Sequence, residues 1–408
     1  MTLNRIFFHK ENQEAIMPHK SIKNRAGRCL LLLVILMSCS ISVSDANRYN
    51  GVDYEIYSEP YYENNILMRY IPVYAYVFDA DRNIEDVNIP FKVLVGSNRC
   101  PVRVIKKAVF RDFRYLKVVD MRQTQMTSIE EEAFMNCSKL DSVFLPEPTD
   151  EKLFLTEIAY NSFRLCSSLK YIKIPVKVKI IGKYAFWGCS SLPHIDIPYT
   201  VEMIMDYAFR GCSSLKSIVI STKVGSLGEG AFQDCIAMET AEFYNKYPLN
   251  IKPLAFDNCK SLKTVKFNYN TIVLIDSCAF RGCTSLRKFT IPASLTQGVG
   301  PLAFEGCTAL DTVTSLADVP PAMGKDAFRD VSPACVLMVP MGRTQAYRAA
   351  GWSEEVFRGG IREIGAPAGI STIKVKPSDT RYYDLEGRPV TRPEKGRIYI
   401  HDGRKVVK

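Results

Sequence analysis

The chain has 408 residues, 47% of them hydrophobic and 24% charged, with a formal net charge of +10. That apolar content is globular rather than disordered. The basicity is confined to the ends: residues 1–28 hold six Lys/Arg against two Asp/Glu and residues 371–408 hold ten against five, which leaves about +1 for the rest. A nucleic-acid footprint needs basic residues gathered on a folded surface, so this distribution argues against an RNA or DNA partner.

The first predicted element is a leader over 1–46. Lys20, Lys23, Arg25 and Arg28 precede an apolar run from Cys29 to Met37. The run is too short to span a bilayer and has the shape of a secretory signal, with Met17 a plausible initiator. Two cleavage readings stand side by side. Leu36-Met-Ser38-Cys39 resembles a bacterial lipobox, which would leave Cys39 lipidated; Ser44-Asp-Ala46 fits a small-x-small site. Either exports the protein to the outer cell surface or the extracellular space. Elsewhere no apolar run has the length of a transmembrane helix.

Within the next predicted element, 47–104, residues 47–86 are rich in tyrosine (Tyr49, Tyr54, Tyr57, Tyr61, Tyr62, Tyr70, Tyr74, Tyr76), and Val73-Tyr-Ala-Tyr-Val77-Phe78 alternates as a strand does. The expected role is a β-rich N-terminal cap; a carbohydrate-binding platform is the alternative. Asp79-Ala-Asp81-Arg-Asn83 mimics the start of a calcium loop, but Ile84 and Pro90 stand where its glycine and glutamate belong.

A repeat then fills 105–340. The pattern A-F-x-x-C-x-x-L starts at Ala133, Ala185, Ala208, Ala255, Ala279 and Ala303, with a variant at Ala231. From Phe110 to Phe328 the phenylalanines step by 24, 29, 23, 23, 23, 24, 24, 24 and 24 residues, about ten units in all. A fixed period of this length marks a stacked solenoid. Within a unit, Ala185, Phe186, Cys189 and Leu192 are spaced by three and four, as on a short helical turn, whereas Ile195 and Ile197 are spaced by two, as on a strand. The predicted unit is strand, turn, short helix, turn. Eight cysteines (Cys137, Cys166, Cys189, Cys212, Cys235, Cys259, Cys283, Cys307) share one repeat position and are expected to form an inward column of free thiols rather than disulfides.

The stretch from Ile174 to Pro198, with Ile181-Gly182 and Ala185-Phe186, resembles the BspA-like bacterial leucine-rich repeat subclass over roughly residues 87–365. The resemblance implies an α/β solenoid, a leucine-rich repeat right-handed superhelix with a parallel sheet on one face. It also implies a non-catalytic surface protein that adheres to host or neighbouring-cell protein ligands. A structural cell-envelope protein is the alternative. Residues 341–370 resemble that family's C-terminal cap, a last strand followed by a helix.

Function must be written in the variable positions. Residues flanking the strand isoleucines face outward, and the early units carry the aromatics and a histidine there: Phe144, Tyr171, Lys173, His194 and Asp196 are the candidate ligand-binding residues. The 29-residue unit carries an insertion over 147–154, a second place where binding can reside. No H-E-x-x-H, G-x-S-x-G, phosphate loop or dinucleotide fingerprint occurs, and the four histidines (His9, His19, His194, His401) are scattered, so no catalytic, cofactor or metal-ligating set is expected. Residues 371–408 read as a β-hairpin tail; Tyr383-Asp-Leu385-Glu-Gly387-Arg388 and Gly396-Arg-Ile398-Tyr399-Ile400 resemble type IX secretion sorting tails.

Overall fold

The structure is a computed structural model that describes residues 47–63, 66–95, 98–147, 154–365, 382–384, 389–401 and 404–407. The chain divides into Met1–Ala46 and Asn47–Lys408, and the first of these, with its leader and Cys39, lies outside the described residues. Six residues of the insertion, 148–153, and most of the segment joining the last repeat to the tail are also outside them.

The repeats stack as a parallel β-solenoid of about 12 turns. Most turns supply a strand from the L-x-x-I-x-I segment. Ser217–Ile220 pairs with Thr240–Phe243 and that strand with Thr264–Phe267, one repeat apart and in register. The sequence reading foresaw one sheet, but the turns build two. The aliphatic residue five places before each phenylalanine lies on a second short strand: Ile180–Ile181 pairs in parallel with Met203–Ile204, and that with Ser226–Leu227.

The first sheet is interrupted at His194–Ile197, where no strand forms although His194 was read as lying on one. A single missing donor accounts for this. Asp141 N–H bonds to Lys117 O, Lys170 N–H to Asp141 O, and Lys216 N–H to Pro193 O. The link between these last two belongs to residue 193, a proline, which has no N–H to give.

The short helix expected around A-F-x-x-C does not form; among the described residues the one α-helix is Thr344–Ala349. Two residues of each turn occupy the left-handed region instead. Two places before the phenylalanine these include Glu132, Tyr184, Tyr207 and Leu254, with φ of 55–60°. Two places after it they include Asn136, Gly188, Gly211, Asp234, Asn258 and Gly282. A chain that crosses that region twice in five residues cannot keep i to i−4 bonding. Alternate donors go to the next turn instead: Phe134 N–H to Ser162 O, Phe186 N–H to Ala208 O, Phe209 N–H to Ala231 O.

The core follows from this register. Ten phenylalanine rings, Phe110 to Phe328, stack in one column at 5.0–5.5 Å between centroids, close to the strand spacing of the backbone. Beside it runs the thiol column. Every one of the eight cysteines is buried and unbridged, and its Sγ–H donates to the phenylalanine carbonyl of the preceding turn at 2.9–3.3 Å. That carbonyl also accepts the N–H of its own turn's cysteine, as Phe134 O does from Cys137 at 3.3 Å and from Cys166 Sγ at 3.1 Å. Cysteine is thus small and apolar enough for the core and still satisfies the second lone pair.

Both ends of the stack are covered. The strands Val52–Glu63 and Ile66–Ala80 form a long antiparallel hairpin. The latter pairs in parallel with Asn98–Ile105, which passes the register to Ser128–Ile129. Tyr54 is fully buried there and belongs to the core rather than to an exposed aromatic platform. At the other end Tyr347, Trp352 and Phe357 are buried. Trp352 Nε1–H donates to Pro321 O at 2.9 Å, and the Tyr347 hydroxyl bonds Ser315 Oγ at 2.6 Å and Ala317 O at 2.7 Å. In the tail, Ile398–His401 and Arg404–Val407 form an antiparallel hairpin, and Tyr382–Tyr383 pairs with both Ile398–His401 and Pro389–Val390.

Candidate functional site

The outer face of the first sheet brings part of the predicted set together. Parallel pairing sets Ser142 opposite Tyr171 and Asp120 opposite Phe144. Phe144 and Tyr171 are therefore diagonal neighbours, with ring centroids 5.4 Å apart at a 41° tilt. The Arg122 guanidinium sits 4.6 Å above the Phe144 ring. It is held there by Asp120, through Nη2 to Oδ2 at 2.5 Å and Nε to Oδ1 at 3.0 Å. The same bonds keep the Asp120 carboxyl below the usual carboxylate range. Arg122 had no signal of its own in the sequence; its role appears only when the rungs are laid side by side.

The other three predicted residues are differently disposed. Lys173 Nζ is tied to Glu147 at the root of the insertion at 2.5 Å, which raises its pKa. His194 Nε2 contacts Asp196 Oδ1 at 2.9 Å, and both side chains are well exposed. They lie beyond the Pro193 break, as a pair bonded to each other, and no contact joins them to Phe144 or Tyr171 among the described residues.

Further ion pairs link successive rungs on the first-sheet side: Lys117 to Glu85 at 2.5 Å, Lys170 to Asp141 at 2.6 Å, Lys263 to Glu239 at 2.8 Å and Lys266 to Glu242 at 2.9 Å. All are largely exposed and contribute little stability each, but they repeat one register and disfavour a slipped one.

A second surface cluster was missed. From Phe163 onward the turns place the residues that follow the core phenylalanines in a file, half-buried for the most part and buried at Asp257: Arg164, Trp187, Arg210, Gln233, Asp257, Arg281, Glu305, Arg329. From Gln233 onward neighbours in the file are partners in two groups. Asp257 accepts from Gln233 at 2.8 Å and from Arg281 at 2.8 and 3.0 Å, and Glu305 accepts from Arg329. At its start two arginines flank one indole, with Arg164 Cζ 4.0 Å and Arg210 Cζ 5.5 Å from the Trp187 ring. Tyr184 lies against Trp187 at 5.3 Å, stacks on Tyr207 at 5.5 Å and meets Tyr160 edge-on at 6.0 Å. The signal was available, because residues at one repeat position become neighbours in space.

No group of three or more His, Cys, Asp or Glu able to hold a metal ion occurs among the described residues. Nor, among them, is any helix long and apolar enough to cross a membrane.

The chain is similar in sequence to the BspA type leucine-rich repeat region, matched over residues 72–154, 152–248 and 247–335 with six copies, well over half of its length. No curated protein matches it. Similar solved structures include a leucine-rich repeat protein from Bacteroides ovatus, 20% identical, covering 78% of this chain and 99% of that one, with a TM-score of 0.33. A leucine-rich cell surface protein from Faecalibacterium prausnitzii is 19% identical, covering 79% and 96% with a TM-score of 0.39. The pneumococcal vaccine antigen PcpA is 14% identical, covering 78% and 98% with a TM-score of 0.37. With six copies of the repeat matched and the turns stacked as that repeat requires, the chain belongs to the BspA type leucine-rich repeat family.

Proposed function

We propose that this protein is an exported bacterial repeat protein, surface-attached or secreted, that binds protein ligands in adhesion and performs no catalysis. The observation that carries the reading is the outer-sheet cluster of Arg122, Phe144 and Tyr171, two aromatic rings in contact with a guanidinium over one of them. Aromatic and arginine side chains are what protein interfaces concentrate at their centres. Around them the Lys173–Glu147, Lys170–Asp141 and His194–Asp196 pairs supply a polar rim. Membership of a protein-binding repeat family supports it, as do the signal-like run from Cys29 to Met37 and the lipobox-like Cys39. The tail, by its resemblance to sorting tails, is the second export signal in this reading.

The test is binding of the purified protein to immobilised extracellular-matrix and host-surface proteins. Phe144→Ala and Tyr171→Ala should each weaken capture by about 1–2 kcal/mol, roughly five- to thirtyfold. Folded variants that capture every ligand as tightly as the parent would remove this surface from consideration. Mass spectrometry of the mature termini from cells checks lipidation of Cys39 and removal of the tail.

A further inference from the structure

Among the described residues of the turn face, the carboxylates near Arg164 are committed to other partners. Glu132 accepts from Arg111 at 2.7 Å and from Asn161 at 3.5 Å. Asp206 takes Lys183 and the Glu229 N–H, Glu229 takes the Tyr207 hydroxyl, and Asp234 takes Arg210 and Asn258. Arg164 makes no ion pair with any described residue, and its Nε is buried without an acceptor. What holds it is the indole of Trp187, 4.0 Å below the guanidinium, with Tyr184 at 5.8 Å. With the indole 4.0 Å from its Cζ and no carboxylate partner among the described residues, Arg164 keeps its terminal Nη donors uncommitted, and guanidinium donors held by an aromatic ring recognise a carboxylate or sulfate.

The surroundings indicate what carries the anion. The backbone donors here are already committed: Tyr184 N–H to Asp206 O, Gly188 N–H to Arg210 O, Tyr207 N–H to Glu229 O. An extended peptide would find no sheet edge to extend and no main-chain partner. Rings and guanidinium groups recur from turn to turn along the stack, from Tyr160 through Tyr184 and Trp187 to Tyr207 and Arg210. A long, linear, anionic ligand with many C–H groups fits such a row.

We propose that Arg164, Trp187 and Arg210 bind an acidic polysaccharide running along the stack, with a carboxylate or sulfate on the Arg164 fork. This site is on the turn face and is independent of the protein-binding cluster on the first sheet.

The experiment titrates the full chain, at physiological ionic strength, with heparin oligosaccharides (sulfate and carboxylate), hyaluronan oligosaccharides (carboxylate alone), neutral dextran and polyglutamate. Binding is followed by interferometry and by tryptophan fluorescence, since Trp187 and the buried Trp352 are the two tryptophans. The expected result is binding of heparin, hyaluronan or both, and not of dextran. Heparin alone identifies sulfate as the ligand group, whereas both identify carboxylate as sufficient. Arg164→Ala and Arg164→Lys should each weaken binding about tenfold, the lysine because it keeps the charge but not the planar fork. Tyr247→Ala, at an exposed tyrosine outside both clusters, should leave glycan binding unchanged. The lysine variant keeps the test decisive if the alanine variant folds poorly. Absence of binding, equal binding by parent and Arg164→Lys, or polyglutamate binding as tightly as the glycans would overturn the proposal.

Discussion

Alkaline pH is the perturbation to which the thiol column is most exposed. Six of its members, Cys166, Cys189, Cys212, Cys235, Cys259 and Cys283, are fully enclosed, and burial pushes each thiol well above its ordinary range. In the unfolded chain the same thiols ionise near pH 8.5. Between those limits the unfolded state holds fewer protons than the folded one, so stability is complete below about pH 8.5 and falls as pH rises. Each thiol contributes about 1.4 kcal/mol per pH unit, and the six together roughly 8 kcal/mol per pH unit. By pH 10 the accumulated loss of roughly 12 kcal/mol rivals the whole stability of a typical domain, about 5–15 kcal/mol. The Tyr207 hydroxyl, pushed up to about 12 chiefly by its hydrogen bond to Glu229, acts in the same direction. It does so only above about pH 10, where a free tyrosine ionises, so the window from pH 8.5 to 10 isolates the thiols. Urea titrations at half-unit steps across that window measure the slope directly. Replacing Cys189 and Cys212 by alanine should reduce it by about a third, at a cost of about 1 kcal/mol per site at neutral pH for the lost S–H bond. A flat profile from pH 7.5 to 10, or an unchanged slope in the double variant, would refute the reasoning.

Removing one ring tests the aromatic column. Phe209→Ala deletes contacts to Phe186 at 5.2 Å and to Phe232 at 5.3 Å and should cost about 4–5 kcal/mol. Because each turn touches only its neighbours, urea unfolding should also lose cooperativity and become two-phased. At the C-terminal cap, Tyr347→Phe strips the hydroxyl shared by Ser315 and Ala317. It should lower stability by about 1–3 kcal/mol and raise hydrogen exchange in the last turns while the first turns stay unchanged.

Period and core were legible because both follow from one residue recurring at one position: Phe186 predicts Phe209, and Cys189 predicts Cys212. The turn was misread for a physical reason. Inward residues at spacings of three and four are shared by a helix and by any tight turn that buries the same side. The distinguishing mark was the glycine, asparagine or aspartate two places after phenylalanine, at Gly188, Gly211, Asp234 and Asn258, where a left-handed residue is needed. Its counterpart two places before, held by Tyr184, Tyr207 and Leu254, gives no such mark. The Pro193 interruption was readable from the missing donor. On the outer sheet face, Phe144 and Tyr171 could be picked by residue type, but Arg122 and Glu147 could not, since a guanidinium and a carboxylate gain meaning from what the adjacent rung presents. Arg164 was obscured in the same way, by a repeat position where most other occupants, from Arg210 to Arg329, are polar and paired.

Because alternate backbone donors of the turn, such as those of Glu132, Phe134 and Asn136, go forward to the next copy, every copy ends in the same unmet demand and begins by meeting it. A copy of the repeat can therefore be duplicated or deleted in the gene without stranding a donor, provided that the cut falls at one phase of the repeat. Lineages carrying this protein should differ by whole turns more readily than by single residues within a turn, and the length of the surface offered to a partner becomes a heritable quantity that changes in steps of one rung.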